Sequence, residues 1–181
     1  MRRICVFCGS QPGNSPAYAD AARALGRLLA ERGIELVTGG GRVGLMGAIA
    51  DEVLARGGRA IGVIPRALQE RELGHDGLTE LHVVASMHER KARMAELSDA
   101  FVALPGGFGT FEEICEALTW AQLGIHPKPC ALLDVADYWA PLVRLFDQAV
   151  ERGFLEARNR ALVLHEQDPA RLLDELQRRS A

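Results

Sequence analysis

Seven short apolar runs recur along this chain, and most are separated by segments with helical periodicity. The runs are residues 3–8, 34–39, 59–64, 80–85, 100–104, 130–135 and 161–165, and the helical patterns are 16–32, 44–56, 88–98, 110–123, 138–152 and 168–179. Near-continuous apolar runs are typical of strands buried on both faces, and strands that alternate with helices form parallel sheets. We therefore predict one α/β domain over residues 1–181. It is a Rossmann-like, doubly wound parallel sheet of about seven strands, with helices on both faces.

The composition of the chain limits the kinds of molecule that it is expected to bind. The chain has 181 residues, of which 48% are hydrophobic, so one domain with a full core is expected. A net charge of −3 and 6% aromatic residues argue against binding to nucleic acid or to an anionic membrane surface. The N-terminal apolar stretch of about four residues is too short for a signal sequence, and no run reaches the roughly 18 residues of a membrane span. We expect a cytoplasmic protein with a small-molecule ligand.

The cysteines and histidines indicate no metal site. Cys5 and Cys8 form a C-x-x-C pair, but the pair lies inside a predicted strand, where residues i and i+3 point to opposite faces. Both cysteines are therefore predicted to be core residues. The five histidines show no paired spacing, so we expect neither a metal nor a cofactor.

Four loops that follow predicted strands have unusual compositions. They are "CGSQPGN" after the first strand, "TGGGRVGLMG" after the second, "SMHERK" after the fourth and "PGGFGT" after the fifth. In an open parallel sheet, ligands bind outside the carboxyl ends of the strands, so these loops are predicted to share one edge. The second loop matches G-x-G-x-x-G but lacks the acidic residue expected about 20 positions later, which argues against NAD. It favours contact with phosphate, or else a tight packing turn.

The loop after the fifth strand carries the strongest signal. Gly106, Gly107 and Gly109 are expected to adopt torsions closed to other residues, and Thr110 is expected to begin a helix whose free amides suit a phosphate. A second interpretation stays open. Residues 110–113 also read as a capping box, in which Glu113 would bond to the backbone N–H of Thr110.

Two further segments contain charged residues that are candidates for the site. Arg90 lies at helical spacing from Met94 and Leu97, so it continues an apolar stripe and needs an anionic partner inside the protein. Lys91 is either a ligand contact or a solvated surface residue. Residues 65–79 are polar and are predicted to be a loop, or else a flap that brings Glu70 and Glu72 to the site.

The segment from Ser86 to Pro129 resembles the LOG (LONELY GUY) family of cytokinin riboside 5′-monophosphate phosphoribohydrolases. The family hallmark P-G-G-x-G-T-x-x-E is matched from Pro105 to Glu113 at every defined position. The resemblance implies hydrolysis of the N-glycosidic bond of adenosine-type 5′-monophosphates, which releases the free base and ribose 5-phosphate. It also implies a homodimer with the active site near the interface. Members are often labelled lysine decarboxylases, but no lysine here belongs to a recognisable pyridoxal phosphate site.

The resemblance assigns the catalytic pair to Arg90 and Glu113. Substrate contacts are expected from the four loops, at Ser10, Gly40, Gly41, Met87, Lys91, Gly106, Gly107, Phe108, Gly109, Thr110 and Glu112. Arginine stays protonated in proteins, so Arg90 is expected to grip the substrate or to orient Glu113. A different class of function, a nucleotide carrier or sensor without catalysis, would use the same loops.

Overall fold

The computed structural model describes residues 1–72 and 74–180, with the side chains of residues 70–72 outside the description. The strands are β1 (Arg3–Phe7), β2 (Glu35–Thr38), β3 (Ala60–Pro65), β4 (Glu80–Val84), β5 (Ala100–Ala103), β6 (Cys130–Leu133) and β7 (Val163–Glu166). The helices are α1 (Pro16–Glu31), α2 (Gly44–Ala55), α3 (Arg66–Glu72), α4 (Met87–Leu97), α5 (Phe108–Gln122), α6 (Ala140–Glu151), α7 (Ala157–Arg160) and α8 (Pro169–Arg179). No helix in the described ranges is both long and apolar enough to cross a membrane.

The sheet has seven strands in the order β4-β3-β2-β1-β5-β6-β7, and every pair is parallel. The predicted fold class is therefore confirmed. Helices α1, α2 and α8 contribute to the core on one face, while α4, α5 and α6 pack against the other. Strand order reverses between β1 and β5, so the switch point, where open parallel sheets usually bind their ligands, lies at the carboxyl edge between these two strands.

The two N-terminal cysteines occupy opposite faces of the sheet, as their spacing predicts. Cys5 packs in the core beneath α4, α5 and α6, whereas Cys8 packs in the core beneath α1, α2 and α8. Burial raises the pKa of both thiols well above the ordinary value. Both are core residues without thiolate character.

Residues 65–79 depart from the predicted loop, because α3 forms over Arg66–Glu72. Its sequence, RALQERE, consists largely of strong helix formers, a local preference that the nearby glycines obscured. After it, Gly74 pairs with Gly41 in an isolated bridge, and the amide of His75 donates to the carbonyl of Gly40 at 2.9 Å. The segment is thus attached to the loop after β2. The side chains of Glu70 and Glu72 lie outside the described residues.

Candidate active site

The phosphate loop, our name for residues 105–110, leads from β5 directly into α5. The helix begins at Phe108 with Gly107 as its N-cap, two residues earlier than the sequence predicts. The backbone N–H groups of residues 107–110 make no hydrogen bond within the described parts of the chain. Four such amides at the positive end of a helix dipole are chemically suited to an anion.

The capping box does not form. Thr110 is the third residue of α5 rather than its cap, and its side chain is buried. Glu113 therefore lies within the helix, and its carboxylate faces Arg90 instead of the helix terminus. Because α5 begins at Phe108, Glu113 does not belong to a capping box, which was the second interpretation that the sequence left open.

The glycines of the phosphate loop do not adopt the torsions that the sequence led us to expect, and only Gly106 is needed for space. None of Gly106, Gly107 and Gly109 has a positive φ. A Cβ at Gly106 would lie 2.1 Å from Oγ1 of Thr110, so the loop packs too closely there for any side chain. At Gly107 and Gly109 a Cβ would meet nothing within 4 Å, so the exposed backbone is open to a ligand.

Helix α4 directs Arg90 into the protein. Ser86 caps the helix by accepting a hydrogen bond from the Glu89 amide at 3.1 Å. Arg90 is buried, and it donates from Nε to the carbonyl of Val63 at 3.2 Å and from Nη2 to the carbonyl of Gly39 at 3.3 Å. A Cβ at Gly39 would lie 1.9 Å from Nη2 of Arg90, so the guanidinium occupies the space that this glycine leaves. The predicted inward orientation of Arg90 is confirmed.

Glu113 is the only acidic side chain that lines the same cavity as the free amides, within the described residues. Its Oε1 lies 3.8 Å from Nη1 of Arg90, and its side chain is 10% exposed. Burial raises the pKa of Glu113 to about 7, although the charge of Arg90 opposes this rise. A carboxyl group with a pKa near 7 exchanges protons at physiological pH, as a catalytic acid or base does.

These groups surround a cavity of about 240 Å³ at the switch point between β1 and β5. The lining residues are Cys8, Gly9, Ser10, Met46, Arg90, Gly107, Phe108, Gly109, Thr110 and Glu113. Hydrogen bonds join the loops that form it: the Gly9 amide donates to Pro105, and the Leu45 amide donates to Gly9. The sequence analysis did not propose Cys8, Gly9 or Met46 as site residues, although all three belong to loops that it identified.

Other predicted site residues lie beside this cavity and do not line it. Lys91 pairs with Glu112 and Glu116 on the neighbouring helix α5. Gly106 forms the wall of an adjacent cavity. Met87 is exposed at the start of α4, and its Sδ lies 3.9 Å from Nη1 of Arg90.

Gly40 and Gly41, the predicted glycines of the second loop, also do not line this cavity. Their backbone groups form hydrogen bonds with other groups of the protein. Gly40 accepts a hydrogen bond from His75, and the amide of Gly41 donates to Sδ of Met46 at 3.1 Å. His75 is itself held by Asp51, whose Oδ1 lies 2.9 Å from its Nε2. The second loop therefore contributes to the cavity in two ways: Met46 lines it, and the Gly39 carbonyl accepts a hydrogen bond from Arg90.

Comparison with known proteins gives consistent matches over most of the chain. A family model described as "Possible lysine decarboxylase" matches residues 46–176. The probable cytokinin riboside 5′-monophosphate phosphoribohydrolase LOGL1 of Oryza sativa subsp. japonica is 54% identical over 162 residues, which cover 90% of this chain and 73% of that protein. Cytokinin riboside 5′-monophosphate phosphoribohydrolase LOG1 of Arabidopsis thaliana is 49% identical over 177 residues, which cover 98% of this chain and 83% of that protein. The chain belongs to the LOG family.

LOG-family relatives are named for a nucleotide N-glycosyl hydrolase activity, and the chain is a member of that enzyme family. The solved structure of the molybdenum cofactor carrier protein from Chlamydomonas reinhardtii has the same fold, with a TM-score of 0.73. It is 24% identical and covers 98% of this chain and 97% of its own. The LOG-family fold is thus also found in a protein named as a carrier.

The alternative description as a lysine decarboxylase does not fit the lysines of this LOG-family chain. A Schiff-base lysine must reach its neutral form, which a lowered pKa favours. Burial lowers the pKa of Lys91, but hydrogen bonds from its ammonium to Glu112 and Glu116 outweigh burial and raise it. Nζ of Lys128, the other lysine in the sequence, donates to the carbonyl of Ala95 at 2.6 Å.

Proposed function

We propose that this chain hydrolyses the N-glycosidic bond of adenine-type nucleoside 5′-monophosphates, accepting N6-prenylated cytokinin ribotides and AMP. The observation that carries the proposal is the position of Glu113. Its buried carboxyl group shares one cavity with the free amides of the phosphate loop and with the guanidinium of Arg90. A nucleoside 5′-monophosphate matches this set of groups. Its phosphate suits the free amides, and C1′ of its ribose, which gains positive charge in the reaction, suits the carboxylate that Arg90 faces.

The phosphate is proposed to bind to the phosphate loop. The amides of residues 107–110 offer donors, and the dipole of α5 adds positive potential at the same place. Phe108 presents its backbone there and is 90% exposed as a residue, so the donors remain accessible from solvent. The ribose then extends from the phosphate toward Glu113, which lies within two helical turns of the loop.

The reaction breaks the bond between the anomeric carbon C1′ and the purine nitrogen. The bonding electron pair leaves with the base, which gains a proton, and the oxygen of a water molecule bonds to C1′. Positive charge develops on the ribose ring as the bond breaks, and the ionised carboxylate of Glu113 stabilises that charge or accepts the proton of the attacking water. The products are the free base and ribose 5-phosphate.

Arg90 has a supporting role in this scheme. Its guanidinium cannot act as a general base, because arginine remains protonated in proteins. Two of its nitrogens are fixed by the carbonyls of Val63 and Gly39, and the third faces Glu113. Arg90 is thus proposed to keep Glu113 oriented, and to hold part of it ionised at neutral pH, since its charge lowers the pKa of that carboxyl.

The test is to incubate the purified protein with AMP and, separately, with isopentenyl-AMP, and to measure free base by chromatography. Release of both bases is the expected result, and a rate comparison reveals which nucleotide is preferred. Release of the prenylated base alone would remove AMP from the substrate class. Tight nucleotide binding without release of either base would contradict the proposal and favour a carrier.

We also propose that the chain forms a homodimer. Leu123 and Ile125, which follow the carboxyl end of α5, are 66% and 63% exposed, and Trp120 precedes them on the last turn. Exposed large apolar side chains that lie together are typical of association surfaces. Light scattering measures the mass directly. Twice the mass of the chain is expected, and an Ile125→Glu variant should shift the protein toward the monomer, whereas a monomeric wild-type protein would refute this proposal.

A further inference from the structure

Tyr138 contacts the phosphate loop but does not line the cavity that contains Arg90 and Glu113. It lies on the segment between β6 and α6, and its hydroxyl donates a hydrogen bond to the carbonyl oxygen of Gly106. Tyr138 lines a second cavity of about 380 Å³, whose wall it shares with Gly106. The cavity that contains Arg90 and Glu113 adjoins it, and Gly9, Ser10 and Gly107 line both.

This hydrogen bond fixes the orientation of one peptide group. The described peptide bonds are all trans, and in a planar trans peptide the C=O and the N–H point in opposite directions. Because the carbonyl of Gly106 points to Tyr138, the amide of Gly107 points away from Tyr138. That amide is one of the unpaired donors of the phosphate loop.

We propose that Tyr138 is a positioning residue that holds the Gly106–Gly107 peptide with its N–H toward the 5′-phosphate of the substrate. The inference rests on the proposed function, because it concerns how that function's phosphate site is formed. A peptide between two glycines lacks the Cβ atoms that restrict rotation elsewhere. A reversed peptide would present the Gly106 carbonyl oxygen to the phosphate and replace attraction by repulsion.

Packing does not hold this peptide on the phosphate side. A Cβ built on Gly107 would meet nothing within 4 Å, so no group packs against this residue there, and its own carbonyl accepts a hydrogen bond from the Phe111 amide at 3.1 Å. On the other side Gly106 packs against Thr110, and its carbonyl has the Tyr138 hydroxyl as partner. The hydroxyl is therefore the specific polar contact that selects one orientation of the peptide.

The segment that carries Tyr138 is itself firmly held. The buried carboxylate of Asp134 accepts a hydrogen bond from the Trp139 amide at 2.9 Å, and its other oxygen lies 2.7 Å from Nε2 of His165. Ala136 and Asp137 have φ of 53° and 58°, a left-handed turn that the surrounding contacts maintain. The hydroxyl is thus presented by a preformed turn.

The experiment compares Tyr138→Phe with Tyr18→Phe. Tyr18 lines the same second cavity and packs edge-on against Tyr138, with ring centroids 6.2 Å apart, but its hydroxyl makes no hydrogen bond within the described chain. Each variant keeps its ring and loses one oxygen atom. Calorimetry then measures the Kd of ribose 5-phosphate, and kinetics measure KM and kcat for the nucleotide and for the corresponding nucleoside.

We expect Tyr138→Phe to weaken ribose 5-phosphate binding and to raise KM for the nucleotide by about five- to tenfold, the size of one hydrogen bond. Nucleoside hydrolysis should not change, Tm should fall only by the few degrees that one hydrogen bond contributes, and Tyr18→Phe should match wild type. Unchanged phosphate affinity in Tyr138→Phe, or equal losses for nucleotide and nucleoside, would overturn this inference alone. A wild-type protein that binds no ribose 5-phosphate would overturn the proposed function as well.

Discussion

Arg90 and Glu113 approach each other across two helices, with Nη1 and Oε1 separated by 3.8 Å and with side chains only 8% and 10% exposed. Two nitrogens of Arg90 donate to backbone carbonyls, and the third faces Glu113. Burial is the largest influence on Glu113 and outweighs the charge of Arg90, so the pKa of its carboxyl rises to about 7. The carboxyl group is poised to change its ionisation near neutral pH, and several expectations follow from this arrangement.

Replacing Glu113 by glutamine should reduce kcat about one hundredfold or more, since glutamine keeps the shape but cannot carry the negative charge. Steady-state kinetics with AMP or isopentenyl-AMP provide the measurement. Glu96→Gln is the control, because Glu96 is 67% exposed on α4 and, among the described side chains, pairs only with Arg93. Near-normal turnover in Glu113→Gln would exclude this carboxylate from the chemistry.

Glu113 should also make stability depend on pH. Its pKa is raised from 4.5 to about 7, so between these values the folded protein holds a proton that the unfolded chain has released. The stability from that proton is fully present below pH 4.5 and is lost as the pH rises through about 7. The free energy of unfolding should fall by about 3 kcal/mol over this range, and the Glu113→Gln variant should not show this decrease.

Denaturant unfolding at about pH 5 and about pH 8.5 tests this expectation. Glu113→Gln should gain stability relative to wild type as the pH rises between the two conditions. A constant difference between the two proteins would show that Glu113 has an ordinary pKa in the folded state.

Gly39 should matter through Arg90. A Cβ at Gly39 would lie 1.9 Å from Nη2 of Arg90, so Gly39→Ala must displace the guanidinium from the Gly39 carbonyl. We expect kcat/KM to fall about ten- to one hundredfold, as small displacements of catalytic groups do. Arg90→Ala should weaken both binding and rate, and the double variant should be no worse than Arg90→Ala alone. Additive losses would indicate that Gly39 acts independently of Arg90.

The thiols should react slowly with a disulfide reagent such as DTNB in the native protein. Burial raises the pKa of Cys5 and Cys8, and it raises that of Cys130 to about 12. Cys115 is half-buried, and burial raises its pKa too. Denaturation should release all four cysteines for rapid reaction. Fast native labelling of the Cys5 and Cys8 pair would refute their assignment to the core.

Much of the fold was predictable because strands that are buried on both faces of a parallel sheet are recognisable in the sequence as short apolar runs. All seven apolar runs became strands, and the C-x-x-C spacing correctly placed Cys5 and Cys8 on opposite faces. Short helices leave a weaker trace. Helix α3 was missed because the glycines that follow it obscured its helical residues, and its attachment through Gly74 to Gly41 is a contact between distant segments.

The start of α5 shows where local sequence rules fail. The residues from Thr110 to Glu113 satisfy the pattern of a capping box, yet the helix begins at Phe108 and Glu113 turns to Arg90. Tyr138 left no signal, because the segment after β6 carries no glycine motif and its partner is a backbone carbonyl 32 residues away.

The amino-acid sequence by itself determined the order of the seven strands and the six longer helices, the edge where the loops gather and the kinds of chemical group present there. Periodicity and glycine content suffice for that, because they reflect each residue's own burial and backbone freedom. Only the tertiary structure decided that Gly39, Arg90 and Glu113 meet, that Lys91 faces Glu112 and Glu116, and that Tyr138 holds Gly106. These contacts depend on how separate helices and loops pack on the sheet, which no local pattern specifies.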